Sequence, residues 1–161
     1  MKILGIDPGL GRAGWAVIDE NKGRISAINY GCIETSSKSS EAERIKILYA
    51  QLIKIIEKYK PDVLSVEKLF FNKNVKTALS VGQARGAIIL AGVNKGLIVE
   101  EYTPLQVKIA VAGYGRADKN QVGQMVKSSF NLKSVPQPDD AADALAIALT
   151  HAVSFRIRDL A

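Results

Sequence analysis

Two turn signals near the start of the chain restrict its fold more than any other feature. Lys2 to Asp7 is an apolar, β-branched run, broken by Pro8-Gly9-Leu10-Gly11. Gly14 to Asp19 is a second run, closed by Asn21-Lys22-Gly23, and Arg24 to Thr35 is a third, carrying Ile25, Ile28 and Ile33. Gly, Pro and Asn break extended runs because they accept the backbone angles that turns require. Three strands joined by two tight turns predict an antiparallel meander.

The remaining residues change period. From Glu41 to Tyr59, the residues Ile45, Leu48, Tyr49, Leu52, Ile56 and Tyr59 recur at spacings of three and four, which predicts an amphipathic helix. Val63 to Val66 reads as a short buried strand with Glu67 at its carboxyl end, Val75 to Asn94 as a second helix, and Leu97 to Tyr102 as a fifth strand. Helices follow over Pro104 to Val111, over Lys119 to Phe130 with Val122, Met125, Val126 and Phe130 inward, and over Pro138 to Phe155. Strands separated by helical crossovers pair in parallel. The expected fold is therefore α/β: a five-stranded mixed sheet with helices on both faces. With neither a repeat nor a linker in view, residues 1–161 read as one domain.

Composition narrows the compartment and the partner. Lys and Arg number 22 against 16 Asp and Glu, and this excess of positive charge suits a polyanion such as nucleic acid. Cys32 is the only cysteine, so an intrachain disulfide and a Cys-built zinc site are both excluded. The apolar run before Asp7 is too short for a signal peptide, and no stretch approaches the roughly 20 apolar residues of a membrane span. These features predict a cytoplasmic protein that makes no use of a membrane.

The chemistry is carried by acids in apolar surroundings. Asp7 ends Ile-Leu-Gly-Ile, Glu67 ends Val-Leu-Ser-Val, and Asp143 lies within Ala-Ala-Asp-Ala-Leu-Ala-Ile-Ala-Leu. Burying a lone carboxylate is costly, so such groups are paired, protonated or bound to metal. Asp140 and Asp143, three apart, share a helical face. Asp7 and Glu67 end strands that can be neighbours, and the carboxyl ends of strands are where sites form in open α/β sheets. Oxygen donors without soft ligands suit Mg²⁺, with Mn²⁺ as a substitute. Two such ions can assist phosphodiester hydrolysis without a His or Cys nucleophile. Each acid also has an ordinary explanation. Asp7 could form an Asx turn before Pro8-Gly9, Glu67 could pair with a Lys, and Asp139 and Asp140 could be helix N-terminal acids. Asp143 has no basic residue near it in its helix.

At these residues the chain resembles the RuvC family of Holliday junction resolvases. The similarity lies in Ile3-Leu4-Gly5-Ile6-Asp7-Pro8-Gly9, Val66-Glu67-Lys68-Leu69-Phe70, Gly82-Gln83-Ala84-Arg85-Gly86, and Asp140-Ala141-Ala142-Asp143-Ala144-Leu145-Ala146, in that order along the whole chain. The resemblance implies a ribonuclease H-like fold, a homodimer, and paired symmetric nicking of four-way junction DNA with Mg²⁺, two ions per site. It places the catalytic, metal-binding acids at Asp7, Glu67, Asp140 and Asp143. Some members of the family carry His at the last position. Asp139 stands beside the motif, and the three-residue spacing to Asp143 favours Asp140 over it. The resemblance also implies Phe70 as an aromatic that stacks on an opened base, and Lys108 and Lys119 as contacts near the scissile phosphate. Lys73, Lys76, Arg85 and Arg116 are further DNA-contact candidates. RuvA and RuvB are the implied branch-migration partners, and the Gly82/Gly86 helix is the implied dimer contact.

Other readings remain open at this point. Gly5-Ile6-Asp7-Pro8-Gly9 also resembles the phosphate loop of actin-like kinases, but those proteins need a second domain. A ribonuclease H-like nuclease acting on RNA–DNA hybrid would share the fold and the acids. A junction-binding protein without cleavage would not need the full acidic set. His151 reads as structural.

Overall fold

The computed structural model describes residues 1–68 and 75–159, with side chains described over 1–68 and 77–155. Three strands open the chain: β1 (Lys2–Asp7), β2 (Arg12–Asn21) and β3 (Arg24–Glu34). The β2–β3 turn places both Lys22 and Gly23 at positive φ, 49° and 88°. That geometry matches the right-handed twist of a hairpin and favours glycine at its second position. Helix α1 (Glu41–Tyr59) leads into β4 (Val63–Glu67), helix α2 (Val75–Asn94) into β5 (Ile98–Tyr102). Helices α3 (Pro104–Ala112), α4 (Lys119–Ser129) and α5 (Asp139–Asp159) complete the order. The sheet runs β3-β2-β1-β4-β5, with β2 antiparallel to both β1 and β3 and β4 parallel to both β1 and β5. The meander, the mixed sheet and the two crossovers follow the sequence expectation.

Three helices begin in the same way. Ser40 with Glu43, Thr103 with Gln106, and Asp118 with Gln121 each form a reciprocal capping box. Each box satisfies two backbone N–H groups that the first helical turn would otherwise leave without partners. The boxes before α3 and α4 also fix where Pro104 and Lys119 start their helices, and both residues border the site described below.

Strand alternation divides the core. Leu4 and Ile6 of β1 and Leu64 and Val66 of β4 pack with Leu48, Leu52 and Ile56 of α1 and Ala84, Ile88 and Ala91 of α2. Ile3 and Ala16 face the other way, against α3, α4 and α5. The predicted α1 face is the buried one, with Ile45, Tyr49 and Tyr59 partly buried at its margin. Met125 departs from expectation, since it is 42% exposed while Val122, Val126 and Phe130 are buried. At about 100° per residue, Met125 falls roughly 60° to one side of Val122 while Val126 and Phe130 turn to the other. A short surface helix covers a single stripe, and Met125 is outside it.

Helix α5 crosses the second face at unusually close range. A Cβ on Gly5 would lie 2.2 Å from the Ala144 carbonyl oxygen, and one on Gly14 would lie 1.9 Å from that of Asp140. The helix answers with small side chains, Ala141, Ala144 and Ala148, all buried. The Ser65 hydroxyl donates to the Ile147 carbonyl at 2.9 Å, pinning α5 to β4 as well. Gly5→Ala is therefore expected to destabilise the fold by about 1–3 kcal/mol through overpacking. Urea unfolding measures the loss.

Candidate active site

The register that packs α5 also gathers the acids. Gly5 and Asp7 alternate onto the α5 face of β1, and Ser65 and Glu67 do the same on β4. Ile6 pairs with Val66 across the parallel ladder, so Asp7 and Glu67 stand side by side one residue further on. Asp7 also pairs with Gly14, and Gly14 lies directly beneath Asp140. One turn along α5, Asp143 joins Asp7 and Glu67 in the lining of a cavity of about 230 Å³. Pro104, Val107, Lys108, Lys119, Val122, Ala146 and Ile147 form its other walls.

The acids perturb one another. Burial raises the Asp7 carboxyl to about 8, with like charge from Asp143, Glu67 and Asp140 adding to the effect and Lys119 opposing it. Burial, and then Asp143, raise Glu67 to about 6. Burial also raises Asp143, and Lys119 offsets part of that. The Lys119 ammonium loses some charge stability to burial, but the pull of Asp143 and Asp139 outweighs it and raises its pKa. Carboxylates that raise one another's pKa at strand ends in a cleft mark a place suited to positive charge.

Two cations already engage this set. Lys119 Nζ lies 3.1 Å from Asp143 and 3.5 Å from Asp139, and Arg12 lies 3.5 Å from Asp140. The basic partner that Asp143 lacks within its own helix thus comes from α4. Among the described residues no three of His, Cys, Asp and Glu form a ready-made metal cage. The donor chemistry nevertheless fits a hard divalent cation: all four groups are carboxylates, and burial, with like charge added to it, keeps Asp7 and Glu67 protonated beyond their ordinary range.

The other residues singled out from sequence are more scattered. Lys108 and Lys119 line the cavity, and Arg116 is exposed in the loop before α4. Arg85 turns inward instead. Its Nε donates to the Glu67 carbonyl at 3.1 Å, and its guanidinium meets Glu101 at 2.8 Å, so it braces the end of β4. Phe70 and Lys73, and the side chain of Lys76, lie outside the described residues. Gly82 and Gly86 face open space on α2. His151 is buried with its Nδ1 2.8 Å from the Tyr102 hydroxyl, a packing position within α5. Arg12 escaped the sequence reading; its cross-strand partner Glu34 becomes visible only once the hairpin register is known.

A five-stranded sheet of this order, with acids at two central strand ends facing a third group on the last helix, defines a ribonuclease H-like protein with an acidic centre. The model of the crossover junction endodeoxyribonuclease RuvC family matches residues 3–151. The chain is 56% identical over 157 residues to the RuvC of Halothermothrix orenii, covering 98% of this chain and 95% of that one. It is 50% identical over 160 residues to the RuvC of Finegoldia magna, covering 99% and 98%. Its structure is similar to that of Thermus thermophilus RuvC in complex with Holliday junction substrate, with a TM-score of 0.92, 36% identity, and coverage of 98% and 96%. The chain belongs to the RuvC family of crossover junction endodeoxyribonucleases.

The raised carboxyls set a pH dependence. An acid whose folded pKa lies above its unfolded value binds its proton more tightly when folded. Its stabilising contribution is complete below the unfolded pKa and is lost as the pH rises through the folded one. For Asp7 that window runs from 3.8 to about 8, and for Glu67 from 4.5 to about 6. In EDTA, the melting temperature should therefore fall across this range more steeply for the wild type than for Asp7→Asn. Equal slopes in circular dichroism melts of the two proteins would contradict the assignment.

Proposed function

We propose that this chain resolves four-way DNA junctions by paired, symmetric, metal-assisted nicks, serving homologous recombination and repair. The observation that carries the reading is the meeting of Asp7, Glu67 and Asp143 in one cavity whose walls also hold Lys108 and Lys119. Asp140, one turn from Asp143 on α5, completes the acidic set. A phosphodiester carries negative charge into its hydrolysis, so the chemistry needs stabilised charge and a well-placed water rather than a covalent nucleophile.

Asp7, Glu67, Asp140 and Asp143 would hold Mg²⁺, two ions per site, with Mn²⁺ as a substitute. When bound, these ions supply activation of a water and stabilisation of the leaving 3′ oxygen. The residues divide the remaining work. Asp7 and Glu67 come from strand ends that the sheet holds rigidly, so their spacing is set by the parallel ladder. Asp143 comes from α5, whose distance from the sheet is set by Gly5 and Gly14. Lys108 and Lys119 would face a phosphate from the α3 and α4 side. Arg116 lies on the same side. Phe70, next in sequence to the β4 end, is assigned the stacking role on an unpaired base.

The dimer rests on α2. Leu79, Leu90 and Val93 are 70%, 54% and 58% exposed. Together with Gly82 and Gly86 they fall on one helical stripe. Small residues flanked by apolar ones let a second copy approach closely, and an isologous pair presents two equal sites to a nearly two-fold junction. Among the described residues no helix is long and apolar enough to cross a membrane. The lone Cys32 suits work in the cytoplasm, with RuvA and RuvB as the branch-migration partners.

A second reading, cleavage of RNA–DNA hybrid, shares the acids and is separated by substrate. With Mg²⁺, wild-type protein is expected to nick four-way junctions and to leave linear duplex and RNA–DNA hybrid intact. Asp7→Asn is expected to bind the junction and lose nicking by at least about a hundredfold. Hybrid cleavage at a comparable rate would favour the second reading, and wild-type nicking by Asp7→Asn would remove the metal assignment. Leu90→Glu is expected to shift sedimentation toward monomer and to replace paired nicks with single ones.

A further inference from the structure

Arg12 opens β2 and faces Glu34 of β3 across the ladder. Its Nε donates to Glu34 Oε1 at 3.0 Å, while Nη1 lies 3.5 Å from Asp140 Oδ2. Two residues further along β2, Gly14 carries the Asp140 backbone, with no room for a Cβ between them. One strand therefore fixes both the main chain of Asp140 and one oxygen of its carboxylate. The planar guanidinium can serve two carboxylates at once because its donors form a rigid fork, which a lysine ammonium lacks.

We infer that Arg12 is a positioning residue for Asp140: anchored by Glu34, it engages Oδ2 and leaves Oδ1 to face a divalent cation. The inference rests on the metal centre proposed above and adds a residue outside the acidic set to it. Groups that orient a ligating carboxylate govern cation affinity even though they never touch the ion. Charge alone predicts the opposite sign, because removing a positive guanidinium from beside a cation site should tighten cation binding. The two effects can therefore be told apart by direction. Glu34 gives a second handle, since Arg12 links it to Asp140.

The test is Mn²⁺ affinity of the DNA-free protein, read from the free-ion EPR signal, beside the Mg²⁺ concentration that half-saturates junction nicking. Arg12→Gln is expected to weaken Mn²⁺ binding about tenfold and to raise the Mg²⁺ requirement in parallel. Arg12→Lys keeps the charge but not the fork and is expected to fall on the weakened side. Glu34→Gln should reproduce part of the loss with the melting temperature unchanged. Unchanged or tighter Mn²⁺ binding by Arg12→Gln would overturn the inference, as would full rescue by Arg12→Lys. A loss of junction binding in EDTA with Mn²⁺ affinity intact would make Arg12 a phosphate contact and also overturn it. If the wild type binds Mn²⁺ through Asp140, as Asp140→Asn would reveal, yet cuts no junction, the proposed substrate fails while the role of Arg12 stands.

Discussion

The distance between α5 and the sheet is the constraint on which the rest of the structure depends. Two glycines on adjacent strands and an alanine-rich helix face let two backbones approach to where no Cβ fits on the strands. Close approach alone is weakly stabilising, because glycine and alanine bury little apolar area. Its value lies in geometry. A helix held by large side chains would stand further from the sheet and carry its acids away from Asp7 and Glu67. The Ser65 bond to the Ile147 carbonyl fixes the same helix from β4, so α5 is registered against two parallel neighbours.

That geometry creates an electrostatic problem, and the surrounding elements reduce it. Four carboxylates at the end of a sheet repel one another, and this adds to the burial that already raises the Asp7 and Glu67 carboxyls. Lys119 approaches from α4 and Arg12 from β2, so the surplus is met from both flanks. Neither cation is deeply buried, which keeps the cost of moving it aside small. Positive charge from both flanks thus makes the acidic centre tolerable as it stands.

Much of this was legible in the sequence, and the reasons differ by element. The meander was visible because turn residues interrupt apolar runs, and α1 because six apolar residues recur at helical spacing. Asp7, Glu67 and Asp143 were visible because a charge inside an apolar run needs a reason. Met125 was misplaced because the period defines a stripe but not its width. The inward turn of Arg85 and the tie from Arg12 to Asp140 were invisible for another reason. Both depend on which residues lie opposite each other across strands and helices distant in sequence, and periodicity carries no such information. The glycines at 5 and 14 read as strand residues, and only the packed helix explains why they have no side chain.

Arg85 ties the polar ends of β4 and β5 to α2. It sits on α2 between Gly82 and Gly86, yet its guanidinium ends on the Glu67 carbonyl and on Glu101 of β5. The outer side of this helix is the surface on which a second copy would rest, and its inner side holds the last residue of β4. If a second copy rests there, a shift of α2 would reach the end of β4 through the Arg85 guanidinium. In a symmetric pair, the fit between subunits and the alignment of both acidic centres would be adjusted together.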